Sequence, residues 1–456
     1  MASATRSPRA RTYRSGAHLR PAALIVPLAV VAITLGVLIP LSMRSLLVAG
    51  GAVGLLALIG LVAVLGADKA STVLLVMAFG FAPLTNFALP LKPFVLASVF
   101  FFAAVALKLP VLMRRKLQLP GTFMLGAVLF TVMGLVSAPV AINALVSLIY
   151  LATAVFALIL IPALMVWMRP THRQMWAMMF AFAVGSAFST LYGFPYTYRN
   201  FGFTYHPVAL AYTCMLAISF APYLVWTKYV KSRWLVVPPI AAICAVGIWT
   251  SGSRTGIVVL GAICVLIPLL ERSVRLGLLL ITGIVSFLPV VFSIDASATS
   301  TSPLSRLLGG GGGAASDETR LTTIQDGLNQ IQQSPIIGNG YSVEHTYVIH
   351  NIYLQVLAAE GLIGLVGLIL IFIAFLTPLR RAAPPDRYLA YPALAVVLAG
   401  PFQPNMADHY LGMSVGLSLI AAVAVMNRTS GAESDESDER PVADTPSAEL
   451  PRSRGW

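Results

Sequence analysis

The sequence predicts an all-α polytopic membrane protein, and three observations carry that prediction. Hydrophobic residues fill 58% of the 456 positions and charged residues only 10%, against about 25% charged in soluble domains. Apolar runs recur at lengths near the roughly 20 residues that a helix needs to cross a bilayer. Basic residues are sorted between alternate connecting segments, which is the pattern of an oriented chain in a membrane.

Taken in order, residues 1–21 are expected to be a disordered cytoplasmic N-terminus, with Arg6, Arg9, Arg11, Arg14 and Arg20 holding that end inside. No small-residue cleavage site precedes a soluble domain, so a cleaved signal peptide is not expected. Transmembrane helices 1–11 fall within residues 22–293, at about 22–41, 45–66, 70–91, 93–109, 121–139, 143–168, 174–193, 206–227, 234–250, 255–270 and 274–293. One long extracytoplasmic loop covers 294–350. Helices 12–14 follow within 351–427, at about 351–378, 388–404 and 408–426. Residues 428–456 are rich in Gly, Ser, Glu, Asp and Pro and read as a disordered cytoplasmic tail. The expected number of spans is fourteen, or twelve if two of the first four merge or re-enter.

Alternating fourteen spans from a cytoplasmic start leaves only Arg44, Lys92, Arg199, Arg254, Arg306 and Arg320 outside, so 30 − 6 = 24 of the Lys and Arg residues are cytoplasmic. The net charge of +13 therefore follows from membrane orientation and does not point to nucleic acid. Cys214, Cys244 and Cys264 all lie inside expected spans, which argues for core packing and against a disulfide framework or a cysteine metal site.

Three outward segments are polar enough to hold chemistry: residues 193–206, the turn at 250–256 and the long loop. In the loop, a five-glycine run at 309–313 is a hinge or linker. Ser316-Asp317-Glu318 then signals a helix start, and Leu321, Ile324, Leu328 and Ile331 recur at helical spacing. This predicts an amphipathic helix on the outer surface or over a cavity mouth. Ser334-Pro335 ends it, and Gly338-Asn339-Gly340 makes a turn.

Arg254 opens a helix at a Gly/Ser/Thr turn, where helix N–H groups and the dipole favour an anion and a guanidinium grips phosphate bidentately. A snorkelling interfacial arginine is the plainer reading. Arg320 lies in the first turn of the loop helix, where a local ion pair with Asp317 is its plainer role. His350 stands where loop meets span, and a histidine neutral near physiological pH can accept a proton from a hydroxyl; a helix cap is its plainer role. His206 and His345 are weaker candidates of the same kind. Arg199, flanked by Tyr196, Tyr198 and Tyr205, suits a phosphate beside stacked sugars, or an interfacial anchor. Glu360 lies about 15 Å along the helix from His350 and about 80° around it, so it faces a wet cavity or bonds another span. Gly361, Gly364 and Gly367 have the spacing of close helix packing. No metal-ligand motif or Walker loop occurs on the outer side.

In order, these segments resemble the O-antigen ligase and O-antigen polymerase superfamily of membrane glycosyltransferases. The resemblance is strongest over residues 316–365: Arg320, then Leu328 and Ile331, then Ser334-Pro335-Ile336-Ile337-Gly338-Asn339-Gly340, then His350-Asn351, then Glu360-Gly361 and Gly364. Ser253-Arg254-Thr255-Gly256 looks like the family's Ser-Arg-x-Gly turn, and Arg199 through Pro207 like its Arg-containing loop, with His206 in place of the more usual Asn. The resemblance implies a donor glycan on a polyprenyl (undecaprenyl) diphosphate and a glycan, lipid or cell-wall acceptor, in the plasma (inner) membrane. No cofactor or metal is implied, nucleic acid is not a partner, and the oligomeric state is left open. By that resemblance His350 is catalytic, Arg254, Arg320 and Arg199 hold the diphosphate, and Asn351, Glu360, Ser253, His206 and Tyr198 support them. Fourteen spans exceed the twelve common in ligases, which favours a polymerase. The competing classes are a lipid-linked glycan flippase, which would carry cations inside its spans, and a non-catalytic assembly protein.

Overall fold

The computed structural model describes residues 46–85, 96–194, 199–275, a few positions between 277 and 289, Arg306, and residues 313–341, 349–403 and 408–438. The chain divides into two units, Met1–Ser71 and Thr72–Trp456. In chain order the described helices are α1 (Leu46–Leu65), α2 (Ala67–Phe81), α3 (Leu96–Leu112), α4 (Gly121–Ser137), α5 (Ala144–Met168), α6 (His172–Tyr192), α7 (Pro207–Ser219), α8 (Ala221–Trp226), α9 (Arg233–Thr250), α10 (Arg254–Leu270), α11 (Gly313–Gln333), α12 (Ile352–Arg381), α13 (Tyr391–Ala399) and α14 (His409–Asp438). No strand occurs among the described residues.

Among the described residues, seven stretches are long and apolar enough to cross a membrane: Gly121–Val140, Ala144–Met168, His172–Tyr192, Pro207–Trp226, Arg233–Thr250, Ile352–Arg381 and Tyr410–Arg428. Gly54–Leu65, Leu96–Leu112 and Arg254–Leu270 are shorter apolar helices. The expected span at 22–41 and most of that at 274–293 lie outside the described residues. Two expected spans are shorter than their apolar runs. α2 stops at Phe81, ahead of Pro83, because the residue before a proline is pushed out of the helical region. Within 388–404 only Tyr391–Ala399 is α-helix, between 3₁₀ turns at Asp386–Ala390 and Gly400–Phe402; Pro392 and Pro401, which donate no N–H, mark those turns. α14 runs as helix to Asp438, beyond the expected end of the last span.

Side-chain caps set the starts of several helices. Asn143 accepts from Val146 N at α5, Thr171 and Gln174 form a capping box at α6, and His206, Ser253 and Asn351 cap α7, α10 and α12. α12 packs closely on α4: a Cβ on Gly367 would lie 2.6 Å from Phe130 N, and one on Gly126 would lie 2.7 Å from Gly367 O. This is the small-residue crossing expected where neither helix gains hydrophobic driving force from leaving lipid. α9 lies against α6 and α7, and α14 against α5 and α12.

Gly361 was expected to share that packing stripe, but it breaks α12 instead. Its φ of 70° and ψ of −171° lie outside the helix, in backbone space open essentially to glycine. The turn at 335–340 wedges into the break. Asn339 N donates to Ala358 O at 3.0 Å, Gly340 N to Ala359 O at 2.8 Å, and Leu362 N to Pro335 O at 2.9 Å. A Cβ on Gly361 would fall 2.1 Å from Ile336 O. The backbone groups freed by the break are thus satisfied within the protein, as a membrane environment requires.

Candidate functional site

One end of the bundle gathers the starts of α7, α10, α12 and α14 with the end of α9. Asn200 ties the first of these to the last: its N–H donates to Thr250 O at 3.0 Å and its Nδ2 to Thr190 O at 3.0 Å. Arg199, the adjacent residue, donates from Nε to Ser251 O at 2.7 Å. The turn then reverses through Gly252, and Ser253 Oγ accepts from Gly256 N at 3.3 Å to open α10. Arg254 therefore sits at the first position of a capped helix, with its side chain only 14% exposed.

Asp317 on α11 meets this guanidinium in fork fashion, Oδ2 accepting from Nη1 at 2.7 Å and Oδ1 from Nη2. The expected Asp317–Arg320 pair is thus replaced by a tertiary one, because α11 lies over the α10 turn. Arg306 completes the link: its carbonyl accepts from Arg254 Nη1 at 3.3 Å, and its own Nη1 donates to Gly252 O at 3.1 Å.

α11 does not dock through its leucines. Leu321 is 67% exposed and Leu328 41%, whereas Thr323 is buried and a Cβ on Gly327 would lie 2.7 Å from Ile349 Cδ1. The helix seats its narrowest strip on the loop–span junction and leaves its leucines outward. Asn339 Nδ2 holds the far end through Gln330 O at 2.7 Å. This seating places α11 beside His350, which is half-buried just ahead of the Asn351 cap; Asn351 Oδ1 accepts from Leu354 N at 3.0 Å. His206 caps α7 through Nδ1, which accepts from Val208 N at 3.1 Å.

The charges of these residues act on one another. Burial first, then Arg199, His350 and Arg306, hold the His206 imidazole below its usual range. Burial, followed by Arg254 and Arg306, lowers Arg320, and Asp317 opposes that shift. The hydrogen bond from Arg254, followed by the fields of Arg254, Arg320 and Arg306, holds the Asp317 carboxyl low against some desolvation. Guanidinium groups stay protonated through such shifts. Four arginines and two histidines from separate segments therefore share one region, with Asp317 of α11 bonded to one of the arginines.

Arg199, Arg254, Arg320 and His350 are brought together. His206, Ser253 and Asn351 are near them as helix caps, so each has a structural task. Glu360 is elsewhere: it is fully buried beside Gly134 of α4, and its Oε1 accepts from Tyr341 OH at 2.7 Å. Tyr198, Tyr196 and His345 lie outside the described residues.

Sequence reasoning missed two members. Asp317 was read only as a local partner. Asp408, just ahead of α14, was not singled out; it accepts from Tyr410 OH at 2.7 Å and from Tyr205 OH at 3.1 Å, next to His206. Burial pushes its carboxyl up to about 6, and the two tyrosine hydrogen bonds oppose that shift. The available signal was an acidic residue opening an apolar run, which is costly unless paired. Among the described residues no three His, Cys, Asp or Glu side chains are placed to hold a metal ion.

Residues 239–369 match the family model described as O-antigen ligase. The matched stretch contains Arg254, Arg306, Asp317, Arg320 and His350, and stops short of Arg199, His206 and Asp408. Neither a curated protein nor a solved structure matches the chain.

Proposed function

Taking the chain as a member of the O-antigen ligase superfamily, we propose that it is a membrane glycosyltransferase joining glycans from a polyprenyl diphosphate carrier to an acceptor hydroxyl on the extracytoplasmic face. The convergence of Arg254, Arg320 and Arg199 with His350 at one end of the bundle is the observation that carries this reading. The acceptor oxygen attacks the anomeric carbon, the bond from that carbon to the diphosphate oxygen breaks, and polyprenyl diphosphate departs with the electron pair. His350 takes the acceptor proton. The arginines balance the charge that develops on the leaving group, by electrostatic stabilisation of the kind a metal supplies in other transferases. On this reading both termini are cytoplasmic and the protein lies in the plasma (inner) membrane, as the basic segments predict.

The test is transfer in membranes supplied with lipid-linked donor. His350→Ala and Arg254→Ala are expected to keep normal abundance and lose transfer; wild-type rates in both would overturn the assignment. The acceptor follows from the surface glycan of a deletion strain. Loss of long chains with single units retained marks a polymerase, whereas unattached chains accumulating on the carrier mark a ligase.

A further inference from the structure

In the Arg254–Asp317 pair the cation is the more buried partner, the reverse of the Arg428–Asp386 pair. The guanidinium is 14% exposed and the carboxylate 47%, so the anion lies on the outer, accessible side of a largely buried cation. Both carboxylate oxygens occupy the guanidinium fork, which is the geometry in which arginine also takes a phosphate. Arg320 follows three residues later on the same helix, a spacing that puts the two side chains on neighbouring positions of one face. The anion in the fork is thus carried by the element that also carries a second diphosphate-binding arginine.

A cationic fork at a membrane boundary faces a competition problem. Bilayer phosphodiesters, each with one negative charge, surround the site at far higher density than any diphosphate-linked donor, and they are attracted by the same surplus charge. We propose that Asp317 is a specificity-determining residue that occupies the Arg254 fork in place of a phosphate. Singly charged phosphodiesters fail to displace it, whereas a diphosphate does, because it brings more charge and engages Arg254 and Arg320 together. A ligand that must first displace an internal competitor has its dissociation constant divided by the fraction of sites the competitor leaves open. That penalty falls hardest on ligands that contact only the one arginine, because a diphosphate can enter through Arg320 while Asp317 still holds the fork and so escapes part of it. The inference rests on the reading of Arg254 as a diphosphate ligand.

The experiment uses the full chain in nanodiscs of zwitterionic lipid, titrated calorimetrically with inorganic phosphate and with inorganic diphosphate. Asp317→Asn keeps the side-chain shape and removes the competing charge. It is expected to tighten phosphate binding about tenfold and diphosphate binding less, so that the preference for diphosphate falls. Transfer by the variant should also become sensitive to added phosphatidylglycerol, with the wild type unaffected. Weaker binding of both anions, or an unchanged preference, would overturn the proposal, since Asp317 would then merely orient Arg254. Arg254→Gln separates the two readings. If the glutamine variant keeps full diphosphate affinity, the diphosphate site itself is wrong and this inference falls with it. If it loses that affinity while Asp317→Asn changes nothing, only this inference fails.

Discussion

The two ends of the helix bundle use the same side-chain types in opposite balance. At the end holding the starts of α6 and α13, Asp386 accepts from Arg428 at 2.7 Å and lies 3.6 Å from His172 Nε2, while Glu271 accepts from Tyr391 OH and from Arg387 Nη1. His172 Nδ1 also meets Tyr223 OH at 2.9 Å. Each carboxylate there is matched by a cation on another segment. At the far end Asp317 alone faces Arg254, with Arg306 and Arg320 acting on it and Arg199 close by through Ser251. Matched charges fasten helix ends; a surplus of one sign stores a field that an anionic ligand relieves. The contrast fits the proposed division, structure at one end and chemistry at the other, and it can be broken by exchanging the same kind of substitution between them.

The largest expected effect separates the two histidines. Loss of a general base costs about 10²–10⁴ in rate, so His350→Ala is expected to reduce transfer by that order with unchanged melting temperature. His172→Ala should keep the rate per folded molecule and lower the melting temperature in detergent. Equal loss of rate in both variants would erase the distinction between the ends.

Arginine geometry supplies the next test. Arg254→Lys keeps the charge and loses the two-pronged fork, and loss of one such donor to developing charge costs about 10²–10³ in turnover. The matching change, Arg428→Lys at an ion pair whose arginine is 64% exposed, is expected to leave turnover alone and cost under about 1 kcal/mol of stability. A turnover defect in Arg428→Lys would show that the ends are coupled.

How far the sequence foretold this division depends on the kind of signal. The loop helix and its stop at Ser334-Pro335 were legible because each rests on local pattern: helical spacing and a breaker. The partner of Asp317 was not legible. Its choice of Arg254 over Arg320 depends on how α11 seats on Ile349, and that seating uses Thr323 and Gly327, not the leucine stripe the pattern emphasised. Gly361 was misassigned for a similar reason. Its spacing with Gly364 and Gly367 fits a packing stripe, and only the wedge at 335–340 makes it a break.

That break gives a third test of the division, of intermediate size. A Cβ on Gly361 would collide with Ile336 O and force a residue at φ 70°, at a cost of order 1–3 kcal/mol for the backbone alone. Gly361→Ala is therefore expected to loosen the 335–340 wedge and, through Asn339 and Gln330, the seating of α11. Limited proteolysis should then open α11 before the segments around Asp386 and Arg428. Uniform opening of both ends would mean that the wedge stabilises the whole bundle and does not act on the site alone.

The smallest effect concerns Asp408 at the site end, where it accepts from Tyr410 OH and Tyr205 OH. Its ordinary value of 3.8 rises to about 6 in the folded chain, with burial as the largest cause. Between pH 4 and 6 the folded protein therefore holds a proton that the unfolded chain has released. Stability contributed by this group is present below pH 4 and is lost as pH rises toward 6, after which the penalty is constant. Asp408→Asn is expected to flatten the fall in melting temperature from pH 4 to 6, while Asp386→Asn breaks the ion pair with Arg428 at the opposite end. A slope that survives Asp408→Asn would assign the titration to another group and remove Asp408 from the contrast between the ends.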